Sequence, residues 1–373
     1  MFIIRRAKVE DVPTLLKLAR MVHFINLPAD RDIINAKIAQ SRQSFIRAAG
    51  GERKRSRRPA ASVTGLGEAL SETDLFMFAL EDLDSPGILG TSQIITHMGA
   101  PGNPNVSFKL YERSFFSQSL QSGTTHTVAK LHLDESGPTE IGGLILQPSL
   151  RGHKQKLGAL LSHVRFHFMG LHREHFADRV VAEMMAPITP DGHNLLWDFL
   201  GRRFINLSYT EADKFCQYSR EFMISLLPKE EIYLSLLPPE ARAVVAQVGR
   251  ETVPARRMLE KLGFHYNGFI DPFDGGPHLE ARMDEVSLVA ETRTASLAEP
   301  VTRAECDGFA MVSVLDRDGE FRCVQTPCKL TGARIAVPRD AVGALEAEPG
   351  REVGLTPIRN PAGPKKRQRR AQQ

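Results

Sequence analysis

The sequence predicts an α/β protein of the α+β kind: a mixed, mostly antiparallel sheet flanked by helices, with a small β domain at the C-terminus. Three observations lead there. A strand and an amphipathic helix open the chain, FIIRRA and then DVPTLLKLARMV. A buried-strand pattern, a basic loop and a long helix follow in the middle, TEIGGLILQP and RGHKQKLGALLSHVRFHFMGLHREHF. After about residue 290 the texture changes to short strands parted by Gly and charged turns.

Taken in order, FIIRRA alternates as a short strand, and Asp11 suits an N-cap with Pro13 in the first turn of the helix. LFMFALED and ILGTSQIITHM read as two strands joined by the turn LDSPG. Residues 99–127 are polar and Gly-rich with little periodicity, and VAKLHLDE after them reads as another strand. The helix that follows TEIGGLILQP carries apolar residues at 157, 160, 161, 164, 168 and 171. VVAEMMAP is a strand interrupted by one carboxylate, and NLLWDFLGRRF a second helix ending in Gly and Phe. Residues 210–247 are helical in pieces, broken at Pro228, Pro238 and Pro239. In TVPARRMLEKLGF, Pro254 opens a helix, Met258, Leu259 and Leu262 form its apolar stripe, and Gly263 stops it before Phe264. FAMVSVLD, FRCVQTPC, ARIAVPRD and REVGLTPI are the strands of the C-terminal module, which begins after a break near TRTASLAEP.

Composition narrows the class. Of 373 residues, 42% are hydrophobic and 25% charged, enough for one or more sizeable cores. No apolar run approaches the roughly 20 residues that span a bilayer, and the apolar segment of MFIIRRAKVEDV is too short for a secretory signal, with charges following at once, so a cytoplasmic protein without a membrane partner is expected. Four scattered cysteines, Cys216, Cys306, Cys323 and Cys328, read as free thiols. The net charge of +4 is carried by two basic runs of five Lys/Arg each, at 53–58 and 365–370. Without them the chain is mildly acidic, so nucleic acid is not expected as the main partner. The runs belong to an exposed basic insertion, 49–73, and to a disordered basic tail, 359–373.

The stretch LILQPSLRGHKQKLGALL has the order strand, basic Gly-containing loop, helix. A loop that turns N–H groups inward at a helix N-terminus makes an anion pocket, and Arg151, Lys154 and Lys156 add positive charge around Gly152. This order is similar to the acyl-CoA site of GNAT-type acyltransferases. Only Gly158 matches the usual loop signature there, with Lys156 where its first glycine would stand. TVPARRMLEKLGF resembles the second signature of that superfamily, with Thr252 where Asn is common and Leu259 where a Tyr often protonates the departing thiolate. A narrower resemblance is carried by LLSHVRFHFM, RVVAEMMAPITPDGH, LLWDFLGRRF, YTEADKFC, LLPKEEIY, QVGRETVPARRMLEKLGF and FIDPFDGGPHLE, across most of residues 139–286. These resemble the arginine N-succinyltransferase family.

The resemblance implies a GNAT-type domain over residues 1–290, a small β domain over 300–358, and association as an oligomer. It implies attack of an amine of arginine, ornithine or a similar basic amino acid on the thioester of succinyl-CoA or another acyl-CoA. The acyl-CoA is a cosubstrate, and no permanent cofactor is expected. The implied acyl-CoA residues are Leu144, Ile145 and Leu146 on the strand, then Arg151, Gly152, Lys154, Lys156, Leu157 and Gly158. The family's general acid/base His corresponds to Gly249, which leaves Glu230, Glu231 and Glu183 as candidate bases. Glu183, Asp274 and Glu280 are candidate ligands for the acceptor, although DGG at 274–276 is also what a tight turn requires. His163, His167, His172 and His175 lack metal-ligand spacing, and no metal is expected. An alternative stays open: a family member of little or no turnover that binds acyl-CoA and acts through protein contacts.

Overall fold

The computed structural model describes residues 1–20, 27–50, 73–85, 87–189, 191–216 and 219–360. Most of the basic insertion and nearly all of the basic tail therefore lie outside the described residues. The frame is a mixed α/β arrangement of strands β1 (Phe2–Arg6), β2 (Leu75–Asp82), β3 (Ile88–Ile95), β4 (Asn105–Ser117), β5 (Ser122–Asp134), β6 (Thr139–Leu146), β7 (Arg179–Glu183), β8 (Ile232–Tyr233), β9 (His265–Ile270) and β10 (Pro277–Arg282). Five more follow: β11 (Arg293–Leu297), β12 (Gly308–Leu315), β13 (Phe321–Thr331), β14 (Arg334–Ala336) and β15 (Glu352–Pro357). They hydrogen-bond in the order β12-β15-β11-β14-β13-β1-β2-β3-β6-β7-β10-β9-β4-β5-β8. Among the described residues, only β6–β7 and β11–β14 pair in parallel.

Period-two patterning divides the core. Leu75, Met77 and Ala79 of β2 pack with α1 (Val12–Arg20) and with Ile34 and Ile38 of α2 (Arg31–Ala48). Phe76, Phe78 and Leu80 point the other way, into a cluster with α3 (Leu157–Leu171). Beyond the end of β1, α2 takes over its neighbour's backbone: Met77 N–H donates to the Ser41 hydroxyl and Leu75 N–H to that of Ser44, at 2.9 and 3.1 Å.

Several expectations change. Asp11 does not cap α1, because its carboxylate takes both terminal nitrogens of Arg5 (2.7 and 2.9 Å) and the Lys8 N–H. The aperiodic stretch at 99–127 is half of a long hairpin, β4 and β5, paired from Asn105↔Asp134 to Ser117↔Ser122. Its inner part is buried at Val106 and Phe108, whereas its outer part is exposed on both faces, which erases the alternation. Gly201 lies inside its helix rather than ending it, and glycine is required there because a Cβ would meet the Trp197 ring at 2.3 Å. The stretch TRTASLAEP contains β11. The C-terminal strands enclose their own cluster around Val312, Val324, Ile335 and Leu355 and join the rest through β1–β13. His167 of α3 also reaches them, bonding Ser313 and Thr356 at 2.6 Å each, and burial pushes its pKa down to about 3. All four cysteines are unbridged. No helix of the described residues is long and apolar enough to cross a membrane.

Candidate active site

The parallel strands β6 and β7 pair only at Thr139↔Val180 and Glu140↔Val181, and then part. A wedge opens between Gly142–Leu146 and Ala182–Glu183, and its continuation past Met185 is lined by Thr252, Pro254, Ala255, Met258 and Leu259 of the loop and helix α4 (Val253–Lys261). The cavity is about 480 Å³. On its β6 side the register against β3 slips by one residue between Gln93↔Gly142 and Thr91↔Ile145. This bulge turns on Gly143, at φ +56°, where a Cβ would sit 2.7 Å from the Gln93 amide. The bulge frees main-chain groups of β6 that a regular ladder would consume.

At the other end of the cavity, Pro148–Leu150 forms a 3₁₀ turn and Gly152 adopts φ +78°. Lys156 then takes a left-handed conformation (φ +54°) as the residue before α3. Ala159 N–H and Leu160 N–H bond the Lys156 carbonyl, so the N–H groups of Leu157 and Gly158 have no intrahelical acceptor. Both residues line the cavity. Of the expected acyl-CoA residues, Leu144, Ile145, Leu146, Arg151, Gly152, Lys156, Leu157 and Gly158 line it and Lys154 does not. Arg151 bridges the mouth to Glu251 at 2.7 Å, both side chains well exposed.

Glu183, last residue of β7, lines this cavity and also begins a second constellation on the opposite side of the split. Its Oε1 accepts from the Asn105 amide at 3.0 Å and lies 3.8 Å from Nε2 of His278, the residue opposite it on β10. Ligand atoms of Glu183, Asp271 and His278 lie within 4.8 Å of one another. His278 Nε2 is buried without a hydrogen-bond partner, and so is Asp213 Oδ1. Asp271 uses one oxygen on the N–H groups of Phe273 and Asp274. Burial and the neighbouring Asp274 and Glu183 push its carboxyl well above the usual range. Burial also pushes Asp213 up to about 6. The cations nearby are Arg220, which donates to Asn105 Oδ1 at 3.0 Å, and buried Lys37 of α2, lowered to about 8 by burial beside Glu140. Glu140, Glu183, Asp213, Asp271 and Asp274 outnumber Lys37 and Arg220, so the region is short of positive charge. It suits a cationic guest: an ammonium, a guanidinium, or a divalent ion on one imidazole and two carboxylates.

The remaining candidates have other occupations. Asp274 is buried and holds the N–H groups of Ala186 (2.8 Å) and Gly276 (2.7 Å), fastening the turn to the end of β7. Gly276 is obligatory there, because a Cβ would collide with the Met184 carbonyl at 1.8 Å. Glu280 is held by Arg179 (3.1 Å) and Asn267 (2.5 Å). Glu231 is paired with Arg113 on the β4–β5 hairpin, which lowers its carboxyl to about 2, and Glu230 is exposed. Neither lines the cavity. Gly249 donates its N–H to the Met185 carbonyl at 2.9 Å, two residues beyond Glu183, and its φ lies outside the left-handed region. Asp271, His278, Asp213, Arg220 and Lys37 were not singled out from the sequence. FIDPFDGGPHLE held two of them, and the signal was their shared strand-turn-strand with Asp274.

Comparisons with known proteins point to one family. Residues 2–288 match the family described as "Arginine N-succinyltransferase beta subunit". The chain is 31% identical over 358 residues to an arginine N-succinyltransferase of Escherichia coli (strain 55989 / EAEC), spanning 95% of this chain and 97% of that one. It is 32% identical, with the same coverage, to an arginine N-succinyltransferase of Enterobacter sp. (strain 638). A solved structure, arginine/ornithine succinyltransferase subunit AI from Pseudomonas aeruginosa, superposes with a TM-score of 0.76 at 26% identity, over 96% of this chain and 98% of that one.

Proposed function

The chain belongs to the arginine N-succinyltransferase family, and we propose that it moves a succinyl group from succinyl-CoA to the amine of arginine, or of ornithine, in arginine breakdown. The observation that carries this reading is the split between β6 and β7, with a main-chain cleft on one side and a carboxylate cluster on the other. We read the split as a GNAT-type arrangement, with the C-terminal strands as a separate small domain. The pyrophosphate of the coenzyme takes the free N–H groups of Leu157 and Gly158, with Lys156 and Arg151 nearby once Arg151 leaves Glu251. The pantetheine lies along Leu144–Leu146, and the thioester carbonyl meets the bulge at Gly143–Leu144.

The acceptor's positive charge sits among Glu183 and Asp271, the carboxylates with free oxygen beside the orphaned His278 nitrogen. Asp274 and Glu280 act from behind, by fixing the turn and β10. Glu183 takes a proton from the attacking ammonium, the free amine adds to the thioester carbon, and the C–N bond forms as the C–S bond breaks. Leu259 has no proton to give, so the second proton, shed by the nitrogen as the amide forms, passes through water to the CoA thiolate. Gly249 contributes no side chain to any of these steps. Held geometry supplies most of the acceleration, since a positioned base adds about 10²–10⁴-fold to it.

Gly249 also favours the second reading, a family member that binds acyl-CoA with little turnover. Thiol release from succinyl-CoA with arginine, ornithine and lysine separates the two. Turnover with arginine or ornithine is expected; no thiol with any amine, beside intact CoA binding, would leave the binding protein.

A further inference from the structure

The cavity wall contains a cation that no carboxylate balances among the described residues. Arg165 lies in the middle of α3, lines the cleft and is 2% exposed. Its Nε donates to the Ser162 carbonyl at 3.1 Å, Nη2 to the Ser162 hydroxyl at 2.7 Å, and Nη1 reaches the Gly142 carbonyl at 3.5 Å. All three acceptors are neutral. A guanidinium has five N–H donors, so each terminal nitrogen keeps one uncommitted. No carboxylate pairs with Arg165 among the described residues, and burial alone pushes its pKa down to about 9. An unpaired buried charge is costly, and chains retain one where a ligand completes it.

The other cations near the cleft are already answered. Arg151 pairs with Glu251, Arg220 and Lys37 sit among Glu140, Glu183 and Asp271, and Lys156 is solvated at the mouth. Arg165 also sits at the informative place. Gly142, whose carbonyl it approaches, directly precedes the bulge assigned above to the thioester. A succinyl chain carries its second carboxylate two methylenes beyond that carbonyl.

We propose that Arg165 receives the distal carboxylate of the acyl group through the paired N–H donors of its terminal nitrogens, and so selects a dicarboxylic acyl-CoA over a simple one. The inference rests on the acyl-transfer reading for the placement of the thioester.

The test uses the full chain and three ligands, succinyl-CoA, acetyl-CoA and CoA, titrated by calorimetry against wild type and Arg165→Met. Met fills similar space without charge, so the variant is expected to melt no lower than wild type. Wild type should prefer succinyl-CoA over acetyl-CoA by about tenfold or more, the scale of a charge-assisted bidentate contact. Arg165→Met should erase that preference while acetyl-CoA and CoA bind as before. If all three ligands weakened together, Arg165 would be a support for the bulge and the proposal would be wrong; an unchanged preference would sink it equally. Should Arg165→Met fail to fold, Arg165→Lys carries the test, with partial retention of the preference expected and full retention contradicting the proposal. Wild-type thiol release from succinyl-CoA is a separate readout. Its absence defeats the acyl-transfer reading, whereas a wild type that turns over but shows no Arg165-dependent preference defeats this inference alone.

Discussion

The two sides of the β6–β7 split are built on opposite principles. The cleft side presents main chain: a bulge at Gly143, loop N–H groups and a helix N-terminus, with apolar walls and one buried guanidinium. The cluster side presents side chains, mostly carboxylates, several with pKa values raised by burial and mutual repulsion. Partial charges fixed in a backbone need little from any single residue. A charge-coded pocket depends on each carboxylate separately. Substitutions should therefore be graded on the first side and abrupt on the second.

The sharpest break is expected at Glu183, which belongs to both sides. Glu183→Gln keeps the Asn105 contact in shape but removes the charge and the proton acceptor. Turnover with arginine should fall about 10²–10⁴-fold while the Kd for CoA holds. A fall of less than tenfold would mean that another group carries the proton, and His278→Gln would be the next variant to measure.

Stability offers an independent reading of the cluster. Asp213 has a buried oxygen without a partner and a carboxyl raised to about 6 by burial. A raised carboxyl favours the protonated folded state, so its penalty is fully present above about pH 6 and vanishes below the ordinary carboxylate range. Asp213→Asn should stabilise the protein at pH 8 by on the order of 2 kcal/mol. That gain should fade as pH drops through 6 towards 4, as followed by melting temperature. A gain independent of pH would assign the effect to packing instead.

On the cleft side the effect is smaller. Arg151 must exchange Glu251 for phosphate, and both partners are exposed. Arg151→Ala should weaken CoA by about tenfold or less, more at low salt than at high, with little change in the KM for arginine. Unchanged CoA affinity at low salt would remove Arg151 from the pyrophosphate site.

The same contrast explains what could be read in the chain. The strand wall and anion loop of the cleft come from one contiguous stretch, 139–158, whose strand, Gly-rich loop and helix start leave local marks, and eight of the nine residues expected there line it. The cluster gathers Lys37, Glu140, Glu183, Asp213, Arg220, Asp271 and His278 from distant segments. No local period connects these residues; only the pairing of β7 with β10 puts Glu183 opposite His278. The outer part of hairpin β4–β5 escaped for another reason, since a strand exposed on both faces has no alternation to show; the inner half of β5 was legible as VAKLHLDE.

Gly249 tests whether the two sides can be bridged by a third group. Its backbone is unstrained and hydrogen-bonded beside Met185, so no conformational reason excludes a side chain. Space is tighter: a Cβ would stand 3.1 Å from the Ala186 carbonyl, which must yield by a few tenths of an ångström. Gly249→His should therefore fold, with at most a small loss of melting temperature. An imidazole with an ordinary pKa of about 6.5 is mostly neutral near physiological pH and can share proton removal with Glu183. Turnover with arginine should rise a few-fold at pH 8 and gain an ascending limb near that pKa, while CoA affinity stays constant. If the rate is unchanged at every pH, Glu183 already meets the proton demand and the glycine costs nothing. If the rate falls, the displaced Ala186 carbonyl has moved the end of β7, and with it Glu183, which would place geometric tolerance, rather than base strength, as the limit at this site.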